Sequence, residues 1–212
     1  MINDIKKSIL SGLMICIGGT VYLSCIALNI KPLGAFLFAA GLYTICVYGF
    51  NLYTGKVGYI AFNFRDTKYI RLVVLVLAFN LLSTYILGIL ASYAFPLVVE
   101  PAKNIYAAKL QTPLLRLFVS GIFCGILMFL SVDTWKKGSK LGVFIYIPVF
   151  ILCGFDHSIA NSFYNGIANG LNAFTLQNLL VFIVVILGNA AGGMIIPLLT
   201  RNNHSESSEN KN

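Results

Sequence analysis

Six uncharged, apolar stretches dominate the chain, at residues 8–30, 32–55, 72–99, 117–132, 141–155 and 158–200, with basic residues gathered in the short connections between them. Crossing the hydrocarbon core of a bilayer takes about 20 apolar helical residues, so runs of this length in close succession demand a polytopic, all-α membrane protein. Composition agrees: AVILMFWYC residues make up 58% of the chain and charged residues 10%, with a mean hydropathy of +0.84, whereas a soluble domain carries about a quarter charged residues. Fifteen bases against seven acids leave a net charge of +8. Because the bases sit at the ends of apolar runs, they read as interface anchors facing lipid headgroups and point away from nucleic acid as a partner.

The 212 residues accommodate one transmembrane domain, expected over residues 1–200, and a polar tail at 201–212 expected to be disordered. No length remains for a nucleotide-binding domain, which rules out an ATP-driven pump on this chain. Residues 8–30 form a 23-residue run without a small-residue cleavage site, expected to be a first span and not a cleaved signal. Cys16, Cys25, Cys46, Cys124 and Cys153 all lie within apolar runs and none shows CxxC spacing, so neither disulfides nor a zinc site is indicated. No metal or cofactor is expected.

The last stretch is too long for one helix. Its first part carries Asn161, Asn165, Asn169, Asn172 and Asn178, whereas residues 179–200 are apolar enough to cross alone, giving six membrane elements. With the N-terminus inside, the inner loops hold Lys6, Lys7, Arg65, Lys68, Arg71, Lys136, Lys137, Lys140, Arg201 and Lys211, and the outer ones Lys31, Lys103, Lys109 and Arg116. The excess of inner bases puts both termini in the cytoplasm of a cell-membrane protein.

Two elements are damaged as simple helices. Element two loses its apolar character at Gly49-Phe50-Asn51-Leu52-Tyr53-Thr54-Gly55-Lys56, and element five breaks at Gly154-Phe155-Asp156-His157. They are the second members of two groups of three spans with opposite orientation. The expectation is an inverted three-plus-three repeat with an aquaporin-like protomer, whose broken helices meet at the site and face a pore.

His157, beside Asp156, is an ionisable group deep in an apolar run and is read as functional; the plainer alternative is a neutral core histidine satisfied by backbone. Ser158 or Thr54 activated by His157 would make a hydrolase, but neighbours in sequence point apart on a helix and no GxSxG turn is present, so an enzyme is not expected. Thr54 is expected to turn its hydroxyl into the cavity, with Gly55 allowing the bend. Lys56 is read as an interface anchor. Lys109, with Lys103 and Arg116, is either a solvated loop base or part of a vestibule that concentrates anions. Phe38 and Leu42, four apart, share a helix face suited to a pore lining. The pairs Gly121/Gly125 and Gly188/Gly192 read as sites of close helix approach.

Gly49-Phe50-Asn51-Leu52-Tyr53-Thr54-Gly55, Gly121-Ile122-Phe123-Cys124-Gly125, Gly154-Phe155-Asp156-His157-Ser158-Ile159-Ala160-Asn161 and Gly188-Asn189-Ala190-Ala191-Gly192-Gly193 follow in order and resemble the motifs of the formate/nitrite transporter family. The resemblance runs from the first span to the last. It implies a homopentamer in which each protomer has its own channel for a small monovalent anion or its neutral acid, such as formate, nitrite, hydrosulfide or lactate. It also implies Thr54, His157, Lys109 and Asn189 as pathway residues and Phe38, Leu42, Leu52, Tyr53 and Phe150 as the apolar constrictions. Asn51 replaces the family's acidic residue, Gly125 its asparagine, and Asp156 its glutamate; a less polar vestibule is expected on the Gly125 side. The rival reading is a channel for water or a small neutral solute, which shares the broken-helix architecture but needs no Lys109.

Overall fold

The computed structural model describes residues 1–173 and 175–200; the tail expected to be disordered lies outside them. The order is α1 (Ile2–Ala27), α2 (Lys31–Tyr48), a four-residue α3 (Tyr53–Lys56) continued by a 3-10 segment (Val57–Phe62), α4 (Thr67–Ala94), α5 (Val99–Gln111), α6 (Leu114–Lys136), α7 (Leu141–Leu152), α8 (Ser158–Asn169) and α9 (Leu176–Thr200). Helices α1, α2, α4, α6 and α9 are long and apolar enough to cross a membrane, and the chain is a multi-pass membrane protein. Helix α7 has 12 residues, a rise of about 18 Å at 1.5 Å per residue, and falls short of crossing alone.

Local sequence explains the ends. Asp66 caps α4, its carboxylate accepting from the N–H groups of Lys68 (2.9 Å) and Tyr69 (3.2 Å), which satisfies donors that have no partner inside the helix. Helices α2 and α7 stop in the same way. Gly49 and Gly154 take left-handed backbone, at φ +62° and +72°, where a side chain would be strained. Phe50 N–H then donates to Ile45 O and Phe155 N–H to Phe150 O, both at 2.9 Å, the six-to-one bond of a Schellman ending. Gly55 is not the bending residue expected from the sequence: it sits inside α3, where an added Cβ would come within 3.1 Å of Val132 Cγ2.

Helix α8 forms the centre, with every residue from Ser158 to Ile167 buried, against α4 on one side and α5 on another. Around it α1 packs on α2 and α4, α6 packs on α7 and α9, the 3-10 segment packs on α9, and α2 meets α7. Two features depart from the expectations. Helix α5 was missed because five of its thirteen residues are polar or charged and its apolar ones form no run long enough to cross a membrane; Pro101, Ala102 and Tyr106 are its buried residues, Ala102 and Tyr106 continuing the face of Val98, and Lys109, three residues after Tyr106, shares that face. The small-residue pairs belong to the interior of the protomer. Gly121 and Gly125 on α6 face Gly188, Asn189 and Gly193 on α9, so these glycines carry no argument about assembly.

That crossing makes a direct prediction. A Cβ at Gly192 would lie 2.7 Å from the carbonyl carbon of Ile122, backbone that has no rotamer to adopt. Gly192→Val is expected to cost at least the ~1–3 kcal/mol of core overpacking, read as a lower melting temperature in detergent. Leu187→Val, at a position 55% exposed, should melt close to the parent protein.

Candidate functional site

Backbone at membrane depth needs partners from protein, and two asparagines supply them. At the first break, Asn80 on α4 accepts from Tyr53 N–H through Oδ1 (2.8 Å) and donates through Nδ2 to Ser8 O (2.8 Å) and Asn51 O (3.0 Å). At the second, Asn189 on α9 accepts from Ser158 N–H (2.9 Å) and donates to Gly121 O (2.9 Å) and Asp156 O (2.8 Å). Both asparagines are fully buried. The clamps tie each break to two long helices and hold the first residues of α3 and α8 in place.

His157 is the N-cap of α8. Its Nδ1 accepts from Ala160 N–H at 3.1 Å, so the neutral ring carries its proton on Nε2, and that N–H donates to Thr54 Oγ1 at 2.9 Å. The Thr54 hydroxyl keeps its own proton to donate. Phe150 stacks on the imidazole, with centroids 5.8 Å apart at 18°, and meets Phe38 edge-on at 6.5 Å. Ser158 Oγ is buried without a hydrogen-bond partner and makes no bond to His157, so the hydroxyl in contact with the imidazole is that of Thr54.

Lys109 reaches in from α5 to pair with Asp156 Oδ1, its side chain only 15% exposed. Ser120 Oγ donates to Asp156 Oδ2 (2.7 Å) and accepts from Asp156 N–H (2.9 Å), and Asn161 Nδ2 donates to Oδ1 (3.1 Å). Lys109 is therefore neither a free loop base nor a lone vestibule charge; it is held in a hydrogen-bonded network.

Two separate cavities lie near this pair; His157 lines the larger one, and Thr54, expected to turn its hydroxyl into the cavity, lines neither. The larger, about 450 Å³, is lined by Lys31, Lys109, Arg116, Asp156, His157, Phe38 and Phe150 among others. The smaller, about 250 Å³, is lined by Leu42, Leu52, Cys46, Lys56, Trp135 and Lys136 among others. Between them Phe38, Leu42, Leu52, Thr54, Phe150 and His157 are each 1–3% exposed. Tyr53 and Asn189 line neither cavity: the Tyr53 hydroxyl donates to Ile186 O at 3.2 Å, and Asn189 is fully engaged with backbone. Gly125 is buried in the α6–α9 crossing, so its lack of an amide does not change a vestibule. Lys56 lines the smaller cavity and does not serve only as an anchor.

A family model described as Formate/nitrite transporter matches residues 3–201. The chain belongs to the formate/nitrite transporter family. Among curated proteins, the uncharacterized transporter YwcJ of Bacillus subtilis (strain 168) is 29% identical over 147 residues, 61% of this chain. The matched region spans 56% of that relative's length. Two solved structures share the fold. One, an FNT family ion channel, has a TM-score of 0.85 at 19% identity, covering 96% of this chain and 90% of its own. The other, a pentameric formate channel with formate bound, has a TM-score of 0.75 at 24% identity, covering 94% and 95%.

Sequence reasoning missed Asn80, Ser120 and Asn161 as site residues. Asn80 carried a signal, being the single amide in residues 72–99, where an intramembrane hydrogen-bonding group needs a partner. Truncating either clamp leaves buried backbone groups unpaired at about 1–3 kcal/mol each. Asn80→Ala and Asn189→Ala are both expected to lower the melting temperature markedly; melting curves equal to the parent's would mean that the breaks are held by other contacts.

Proposed function

We propose that the chain is a channel for a small monovalent anion of the formate, nitrite or hydrosulfide class, passing it with a proton or as the neutral acid. The observation that carries this reading is a cavity lined by three bases and one acid together with Phe38, Phe150 and His157, with Thr54 hydrogen-bonded to that histidine. Lys31, Lys109 and Arg116 outnumber Asp156 on the larger cavity, a bias that raises the local concentration of anions. A bare charge then meets Phe38 and Phe150, where desolvation opposes it and raises the proton affinity of a carboxylate. The neutral acid accepts a hydrogen bond from the Thr54 hydroxyl, which His157 orients. A proton on Nδ1 would displace the bond from Ala160, so His157 acts as the hydrogen-bonding group that sets Thr54. Leu42 and Leu52 form the second constriction; Tyr53 and Asn189 support the path from behind.

The same reading includes the architecture. Residues 1–200 form one channel domain, an inverted repeat of six elements with the second and fifth broken and an aquaporin-like protomer. Exchanging α1, α2, the α3 region and α4 for α6, α7, α8 and α9 maps the main pairings that do not involve α5 onto observed pairings, α2 with α7 onto itself, and maps Asn80 and its three bonds onto Asn189 and its three. The base count of the loops puts both termini in the cytoplasm and the chain in the cell membrane. The homopentamer rests on the family and on the pentameric formate channel of the same fold.

Liposome flux with formate, nitrite, hydrosulfide and urea compared side by side tests the conduction reading. Anion uptake that rises with an inward proton gradient, with urea excluded, is expected; urea passage indifferent to the gradient would make this a neutral-solute channel. His157→Asn keeps an N-capping amide but cannot titrate near neutrality as histidine does. It should fold and conduct with an unshifted pH profile; a flattened profile would make His157 the proton donor. Native mass spectrometry in mild detergent should give a pentamer, and a stable monomer or dimer would remove the assembly claim.

A further inference from the structure

Tyr53 holds the first break twice. Its N–H donates to Asn80 Oδ1 on α4 at 2.8 Å, and its hydroxyl donates to the Ile186 carbonyl on α9, 133 positions away in sequence, at 3.2 Å. A helix carbonyl has a second lone pair for such a donor. Asn189, which clamps the second break through Ser158 N–H and Asp156 O, lies three residues along α9 from Ile186, less than one turn. A single turn of α9 therefore holds both breaks. The cross-tie runs in one direction only. Asn80 and Asn189 accept from the N–H groups of Tyr53 and Ser158 in the same manner, which makes Ser158 the counterpart of Tyr53. Ser158 Oγ, however, is buried with no hydrogen-bond partner among the described residues, so the second break sends no matching tie to α4 from that position.

We infer that the Tyr53 hydroxyl is a positioning group, which sets the angle at which Thr54 meets His157. Helix α3 is four residues long and has no side-chain cap. The 3-10 segment beyond it is seated on α9 at Gly58, where an added Cβ would meet the Gly193 carbonyl oxygen. That close approach fixes where the segment lies, but a contact beyond the end of a one-turn helix gives little resistance to rotation about the helix axis. Consecutive side chains on a helix are roughly 100° apart, so a rotation that moved the Tyr53 ring would swing Thr54 Oγ1 away from His157 Nε2, which it meets at 2.9 Å. Anchoring the far end of the ring to the turn of α9 that also clamps the His157 break opposes that rotation. The inference deepens the conduction reading and rests on it only for what Thr54 offers the permeant; the geometry of the Thr54–His157 contact is independent of transport.

The test reads His157 directly. In a His204→Gln background His157 is the chain's single histidine, and labelling with nitrogen-15 histidine isolates the imidazole Nε2–H that donates to Thr54. Tyr53→Phe removes one oxygen and keeps the ring. It is expected to move the His157 N–H resonance towards its position in Thr54→Ala, and to speed its exchange with water by about twofold to tenfold, the change that one hydrogen bond of ordinary net strength makes in an opening equilibrium. The double variant Tyr53→Phe/Thr54→Ala should match Thr54→Ala alone, because a group that acts through Thr54 then has nothing to act on. Tyr53→4-aminophenylalanine, which puts an N–H donor back at the same point, should return the resonance towards the parent's. A Tyr53→Phe protein that melts lower but keeps the parent's His157 shift and exchange would reduce the tie to a structural one and overturn the inference. Equal effects of Tyr53→Phe with and without Thr54 would overturn it too. If Tyr53→Phe shows no cooperative melt, the 4-aminophenylalanine protein decides, and a resonance displaced as far as in Thr54→Ala counts against the tie. Formate uptake should fall in Tyr53→Phe only where Thr54 is present. A His157 resonance that follows Tyr53 in a protein without formate uptake sinks the conduction reading alone, and formate uptake in a protein whose His157 resonance ignores Tyr53 sinks the positioning role alone.

Discussion

Everything at the centre of this protein depends on two buried side-chain amides. A helix that stops halfway through a membrane exposes N–H and C=O groups to a medium that offers no water, at a cost of several kcal/mol for each group left alone. Asn80 and Asn189 each take one N–H and give two donors, tying the broken segment to α1 and α4 in one case and to α6 and α9 in the other. An amide is suited to this because it carries acceptor and donors on one planar group. Once the breaks are anchored, Thr54 and His157, on different breaks, are brought to 2.9 Å of each other.

Charge is managed in the opposite way on the two sides of that contact. On the larger cavity Lys109, Asp156, Ser120 and Asn161 form a satisfied network, which lets a carboxylate that is 6% exposed remain in an apolar setting. Such a pair adds little net charge, so attraction on that side falls to the excess of Lys31 and Arg116. On the smaller cavity Lys56 and Lys136 stand among lining residues that include no carboxylate. Between them Phe38, Leu42, Leu52 and Phe150 are almost fully buried, and on the proposed function an ion crossing there meets a desolvation penalty.

Much of this was legible from residue order. Runs of apolar residues announce spans because hydrocarbon thickness sets a minimum length, and Gly-Phe followed by a polar residue twice over marks the two interruptions. Expecting both breaks to meet at one site brought Thr54 and His157 into the same region, but their direct contact is known only from the structure. Helix α5 was not legible, since a half-polar helix held by one short apolar stripe gives no hydropathy signal. Nor was the commitment of Lys109 to Asp156, 47 positions apart, because loop charge counts treat every base as solvated. Lys56 was misread for the same reason: an ammonium at the end of an apolar run looks the same whether it meets headgroups or a cavity.

By itself, then, the sequence determined that the chain crosses a membrane several times, where its helices break, and which family it belongs to, because those properties reside in local composition and in short ordered motifs. Only the tertiary structure decided that Asn189 clamps backbone while lining no cavity, that the glycines of α6 and α9 face each other inside the protomer, and that Asp156 pairs with Lys109 on one cavity while no carboxylate lines the other. Those outcomes turn on which side chain meets which across helix interfaces. Burial makes such meetings matter, since an unpaired group in a dry interior is costly, and no local pattern encodes the partner's address.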